Sequence, residues 1–495
     1  MLICYRFCIF DTGKKNSPKC QEKAKFGGIE HNVTMSKVQN FAGLHQSIPF
    51  TEFDFYEKYH RSFEKTELGR IRKLLPLKDL SENFGLVNKS LRPHRGPKSY
   101  FTPEGKVALM FLKMYTRLSA PKLLEQLNGN VHYQIFCDIY IDPERPLTNY
   151  KLIDDIVSEL AGGLKIQQLQ DILAEFWKPY MKNLDTMFTD ATCYESDMRY
   201  PTDQKLLWEC CQKVYAIMCE ASQRMNIHRP RTKYHDVEKA NMSYVKQRKH
   251  NKGQTKKILR RLLSLLGKIL KELRKMDRME ADSKVLTDKE KKLIDTITKV
   301  YRQQESHFAS GDTRESIPNR IVSISKPYVR PIVRGKDVKS VEFGAKCNNI
   351  QVDGVSFIEK LSFNAFNEGT RLPHCVKVHN RLFKVALKKL GGDRSYAGRA
   401  NRDYCKENGI QTSFVKRGRP FQVKKERDFV RQELARVRAT VMEGSFGTQK
   451  EHYDLRRIKA RKKETEILYI FFGIHTANVV HLAERLMEQE LSMAA

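Results

Sequence analysis

From Phe101 onward the apolar positions of the chain fall at helical spacing. Val107, Leu109, Met110, Leu112 and Met114 mark one helix. Ser119, a favoured cap residue, opens a second with Pro121 in its first turn and Leu123, Leu124 and Leu127 on its inward side. A third helix is predicted through Tyr133 to Ile139, and a fourth after Thr148 with Leu152, Ile153, Ile156, Val157 and Leu160. Residues 100–180 therefore read as a compact all-helical unit, large enough to hold a helix-turn-helix, although a helical packing unit without DNA contacts has the same pattern.

The period changes at Met187 to Cys193, MFTDATC, a β-prone run with Asp190 at its centre that reads as a buried strand. Further strands are predicted at Val341 to Cys347, Val355 to Phe366, Ala386 to Gly391 leading into Asp393, and Gly409 to Val415. Helices are predicted at 375–390, 424–448 and 476–491. Strands in series, then strand–helix–strand and a late helix, give an α/β chain with a mixed sheet. Between the first and second strands lies a helical interruption over 204–320. Its centre places Leu259, Leu262, Leu263, Leu266, Ile269, Leu270 and Leu273 on one face of an amphipathic helix.

Charge sharpens this picture. Among 495 residues, 90 Lys and Arg against 58 Asp and Glu leave +32, while 40% hydrophobic side chains suffice for a sizeable core. Global disorder is excluded, and a polyanionic partner, nucleic acid first, is expected. From Lys246 to Lys275 there are 12 Lys and Arg and one acid, Glu272. That shortage of compensating acids marks Lys256, Lys257, Arg260 and Arg261 as candidate phosphate contacts. No membrane partner is expected, because the most apolar runs are short: Leu468 to Ile474 meets His475, and MLICYRFCIF is broken by Arg6. The 11 cysteines are odd in number and scattered, with no CxxC pair, so they read as reduced cytoplasmic thiols. A zinc site from Cys210, Cys211, Cys219, His228 and His235 fits no usual ligand spacing, and no Walker-type or Rossmann glycine loop occurs.

Three acids carry candidate chemistry. A carboxylate on a buried strand is costly unless paired, hydrogen-bonded or metal-bound, which singles out Asp190. Asp393, in LGGDRSYAGRAN, is presented at a strand tip by two glycines. Glu443 lies in a basic helical stretch, RVRATVMEGSFGTQK. Carboxylates on two strands and a following helix are what a two-metal site uses, with ions about 3.5–4 Å apart. Asp203, in YPTDQKLL, is expected to cap the next helix instead.

At these residues the chain resembles the DDE transposases of bacterial insertion sequences. FTDATCYESDMRYPTDQKLL (188–207) resembles their first-aspartate segment, GGDRSYAGRAN (391–401) the second, and VMEGSFGTQK (441–450) the glutamate segment, with Lys450 at the family's spacing from Glu443. FTPEGKVALMFLKMY resembles the family's N-terminal domain, and RGKDVKSVEFGAKC (334–347) the strand before the second aspartate. The likeness spans roughly residues 65–485. In two places the chain departs from the pattern: Arg438 lies one residue further upstream of Glu443, and Ala435 stands where a Tyr belongs.

The resemblance implies an RNase H-like mixed sheet with a long helical insertion after the first strand, preceded by an all-helical domain. The expected divisions are an extension over 1–64, a helical domain over 65–180, a catalytic domain over 181–485 containing the 204–320 insertion, and a tail over 486–495. It further implies Asp190, Asp393 and Glu443 as catalytic ligands of two Mg²⁺ ions, for which Mn²⁺ substitutes. Lys450 and Arg438 would be DNA contacts, and the protein a homodimer on terminal inverted repeats and target DNA in the bacterial cytoplasm, on the nucleoid. A nuclease of the same fold that does not join strands, and an inactivated transposase acting as a DNA-binding regulator, are the rival readings.

Overall fold

The computed structural model describes residues 52–86, 99–279, 285–311, 317–333, 341–414 and 425–494. Residues 1–51 of the expected extension, and 334–340 of the strand expected before the second aspartate, lie outside them. Among the described residues eight helices come first: α1 (Glu52–Glu64), α2 (Glu67–Lys73), α3 (Leu77–Asn83), α4 (Pro103–Thr116), α5 (Ala120–Gly129), α6 (Val131–Phe136), α7 (Lys151–Gly163) and α8 (Ile166–Trp177). Their starts follow local chemistry. Thr66 caps α2 by accepting from the Gly69 amide, and Thr102 caps α4 by accepting from Gly105, with Pro103 in the first turn.

The sheet is mixed, in the order β2-β3-β1-β5-β6. Its long central members are β1 (Thr186–Ser196) and β3 (Val341–Val352), which run antiparallel. β2 (Pro331–Val333) and β4 (Val355–Ser362) both pair with the outer edge of β3, at different heights. β5 (Lys389–Gly392) runs parallel to β1 over Thr186 to Thr189, and β7 (Arg457–Ile458) runs parallel to it over Glu195 and Ser196. β6 (Gln411–Thr412) lies outside β5. On this edge, therefore, β1 is partnered at both ends and opens in the middle, where Asp190 lies.

Between β1 and β2 come α9 (Asp203–Arg224), α10 (Tyr234–Lys246), α11 (Lys252–Met279) and α12 (Asp288–Ser310). They bury a core of their own around Leu207, Val214, Leu262, Leu266, Ile269 and Ile297, which also takes in Cys210 and Cys211. Thr287 and Glu290 close a capping box at the start of α12. The cap of α9 differs from expectation. Thr202 accepts from the Lys205 amide, and Asp203, now the first helical residue, accepts from Arg320 and Gln304.

The remaining helices are α13 (Leu372–Phe383), α14 (Arg399–Glu407), α15 (Lys425–Val437), α16 (Glu443–His452) and α17 (Lys463–Ala494), with a π turn, Arg438–Met442, joining α15 to α16. α13 stops at Phe383, short of the predicted 390, because Lys384 takes a left-handed cap at φ 55° and frees the chain to enter β5. α17 corrects the reading of Leu468 to Ile474 as too short to span: the helix is long and apolar enough to cross a membrane. His475 does not interrupt it. However, 78% of its most apolar stretch is buried inside the fold, where Phe472 stacks on Phe84 and meets Phe111 edge-on. One continuous core thus joins the N-terminal helices, α17 and the sheet.

Candidate active site

The pairing of β1 with β5 brings two of the acids together. Its last rung is Thr189 with Gly392, so the next residue on each strand is Asp190 and Asp393, side by side where the two strands part. Sites at the carboxyl ends of parallel strands arise in this way, because diverging strands leave a crevice. Asp393 caps a single helical turn by accepting from the Arg394 amide. Gly391 is needed just before it, since a Cβ there would lie 2.3 Å from the Phe188 ring.

Phe188, Asp190 and Tyr194 share one face of β1 by strand alternation. The α15–α16 run docks on that face. Phe188 packs with Leu434, Met442 and Phe446, and the buried Tyr194 hydroxyl donates to Gln449 Oε1 at 2.6 Å. Gln449 in turn donates to Ser445 at 3.1 Å, so the helix bearing Glu443 is fixed to the sheet by both apolar and polar contacts. On the opposite face Tyr396, fully buried and three residues after Asp393, donates to Asn348, which donates to Glu359 Oε2 at 2.9 Å and to Cys375 Sγ at 3.3 Å. Each acid-bearing element is thus anchored to the central strands by a residue a few positions further along the chain.

Arg438 links the first and third acids. Its Nη1 lies 3.0 Å from Asp190 Oδ2, and its Nη2 lies 3.3 Å from Glu443 Oε1. The side chains of Arg438 and Asp190 are only 18% and 17% exposed, whereas Glu443 is 56% exposed. Burial pushes the Asp190 carboxyl up to about 6. The Ala191 amide, at 2.7 Å, and Arg438 oppose that rise, while the charges of Asp393 and Glu368 add to it. Glu368, itself 2.6 Å from Lys346 Nζ, was not visible as a site residue in the sequence. It lies in the loop after β4, just before Gly369, and only the fold brings it near Asp190.

The two Arg438 contacts draw Asp190 and Glu443 around one guanidinium. Among the described residues, no group of three His, Cys, Asp or Glu could hold a metal ion. In kind the donors still fit a hard dication: carboxylate oxygens from a strand, a strand tip and a helix, one of them buried with its charge only partly balanced. Lys450, half-buried in the last turn of α16, follows Glu443 by about two turns. Lys256, Lys257, Arg260 and Arg261 stand exposed on α11, in the insertion. A cavity of about 770 Å³ lies apart from these acids, lined by Tyr200, Tyr244, His250 and Phe343 where the insertion meets the sheet.

Two family models match this chain. A transposase domain (DUF772) covers residues 56–156, and a transposase DDE domain covers residues 390–479, which include Asp393 and Glu443. No curated protein and no solved structure gives a match.

Proposed function

The chain belongs to the insertion-sequence DDE transposases, and on that premise we propose that it cuts transposon ends and joins their 3′-hydroxyls to target DNA, through an RNase H-like core in which Asp190, Asp393 and Glu443 bind metal. The observation that carries this reading is the register of β1 against β5, which sets Asp190 beside Asp393 at the opening of the sheet, with Glu443 tied to Asp190 through Arg438.

When two Mg²⁺ or Mn²⁺ ions are bound, they supply activation of the attacking oxygen and stabilisation of the leaving one. The chain's own residues do the rest. Asp190 and Asp393 offer oxygens from adjacent strands, so their spacing is set by the sheet. Glu443 offers its own from a helix that Gln449 and Phe446 hold in place. Lys450 contacts a phosphate of the bound end on the exposed side of that helix, and the basic face of α11 holds flanking DNA. The active species is a homodimer, because two ends must be cut and joined together. It works in the bacterial cytoplasm on the nucleoid. The units are those the resemblance implies, with residues 65–180 contacting DNA and the insertion hung on the catalytic domain.

The test uses a duplex carrying the DNA that flanks the reading frame on each side, with Mg²⁺ and a second, target duplex. Wild-type protein should nick the ends and join them to the target. Glu443→Gln, Asp190→Asn and Asp393→Asn should each abolish cutting while retaining end binding, and double variants should lose little more, since the acids act as one unit. A surface ion pair is worth only about 0–1 kcal/mol, so near-normal cutting by Glu443→Gln would remove it from the site. Cutting without joining would make the protein a nuclease. Binding without cutting under all metal conditions would make it a regulator.

A further inference from the structure

We infer that Arg438 is a built-in stand-in for the metal: its guanidinium fills the place between Asp190 and Glu443 that a cation takes, and must leave when the cation arrives. This rests on the reading of the acids as metal ligands and adds a residue that governs how they are filled. The geometry is direct. One guanidinium nitrogen is on Asp190 and the other on Glu443, at 3.0 and 3.3 Å, and the side chain is largely enclosed.

Helix arithmetic shows that this placement is constructed. Arg438 precedes Glu443 by five residues, and in a regular α-helix five residues turn the chain about 500°, leaving the two side chains roughly 140° apart. The π turn over Arg438–Met442 absorbs the extra residue, because its bonds run from i to i+5 and so return position 438 to the face of position 443. The departure from the family's spacing and the irregularity of the helix are therefore one feature, and its result is an arginine aimed at two acids.

Charge gives the arrangement a purpose. The negative charges of Asp393 and Glu368 both act on Asp190, and Glu368 already has Lys346. Arg438 is the cation that the structure places on Asp190 itself. It lowers the cost of keeping the acids together before an ion is bound, and it competes with the ion for the same oxygens. Both nitrogens that face the acids would become available to a DNA phosphate once the ion displaces them, so loading the site and gripping the strand are coupled in one side chain.

The test measures Mn²⁺ alone, by the paramagnetic resonance signal of the unbound ion, on the full chain without DNA. Arg438→Gln should bind Mn²⁺ about tenfold more tightly than wild type, which corresponds to removing a competitor worth roughly 1.4 kcal/mol. Its melting temperature in EDTA should fall below that of wild type and recover with Mn²⁺. Arg438→Lys, which can reach one acid but not both, should lie between the two, and it carries the test if the glutamine variant does not fold. Equal or weaker Mn²⁺ binding by folded Arg438→Gln or Arg438→Lys would overturn the inference while leaving the acids as ligands. Asp190→Asn in the Arg438→Gln background should abolish the tight binding. Retention there, or no Mn²⁺ binding by any variant, would instead sink the metal-site reading, and the inference with it.

Discussion

At the scale of single residues, Asp190 works against the stability of the fold that holds it. Burial raises its carboxyl to about 6, so the folded chain takes up the proton more readily than the unfolded one. Below the ordinary carboxylate range both states are protonated and stability is unaffected. As pH rises from about 4 through 6 the unfolded state ionises first, and stability falls by an amount on the order of 3 kcal/mol. Asp190→Asn should therefore melt higher than wild type at pH 8 without divalent metal, and at the same temperature near pH 4. Thermal melts across that range check the sign, and a lower melting temperature at pH 8 would mean that the pairing with Arg438 outweighs burial. Asp190 was marked in the sequence by the order of the three acid-bearing segments, one carboxylate in a β-prone run being weak evidence by itself. Glu368, Tyr396 and Gln449 were not. A buried polar residue looks like a surface one until its partner is known, and those partners lie far off in sequence, as Tyr194 does from Gln449 and Asn348 from Tyr396.

At the scale of elements, periodicity found the longer strands and most of the longer helices, but neither short elements such as α14, β2 and β7 nor the joints between elements. The run predicted as a helix over 424–448 is two α-helices and a π turn, and no hydrophobic repeat reports such a turn, since only one residue is out of step. That difference makes a prediction about deletions. Removing Ala439, an exposed residue within the π turn, shortens the Arg438 to Glu443 spacing to four and should convert the segment into an ordinary helix with both side chains still on one face. Removing Gly447, equally exposed, rotates Gln449 by about 100° away from Tyr194 and leaves buried polar groups unpaired, at about 1–3 kcal/mol each. The first deletion should keep its melting temperature and its DNA cutting; the second should lose both. Equal effects would mean that α16 is held by something other than the hydrogen bond between Gln449 and Tyr194.

At the scale of the whole molecule, charge and core are distributed separately. The sheet, α17 and the N-terminal helices share one core, whereas α9 to α12 bury another and carry a dense basic face on α11. The face is selective: the leucines of α11 that the sequence put inward are buried except Leu259, which is half-buried, and Lys256, Lys257, Arg260 and Arg261 are exposed. Nothing in the helix compels four cations there, because Glu or Gln would serve an exposed helical surface as well, with i to i+4 pairs to stabilise it. Their cost in mutual repulsion is therefore explained if phosphates neutralise them. Reversing all four to Glu should leave the melting temperature close to wild type and weaken binding to duplexes of any sequence. It should also reduce the slope of log affinity against log salt by about 3 to 4, near 0.9 for each phosphate that the protein no longer neutralises. Binding titrations at several salt concentrations, on an end sequence and on an unrelated duplex, separate the possibilities. Weakening confined to the end sequence would make α11 a reader of bases, and an unchanged slope would assign its basic face to solvent.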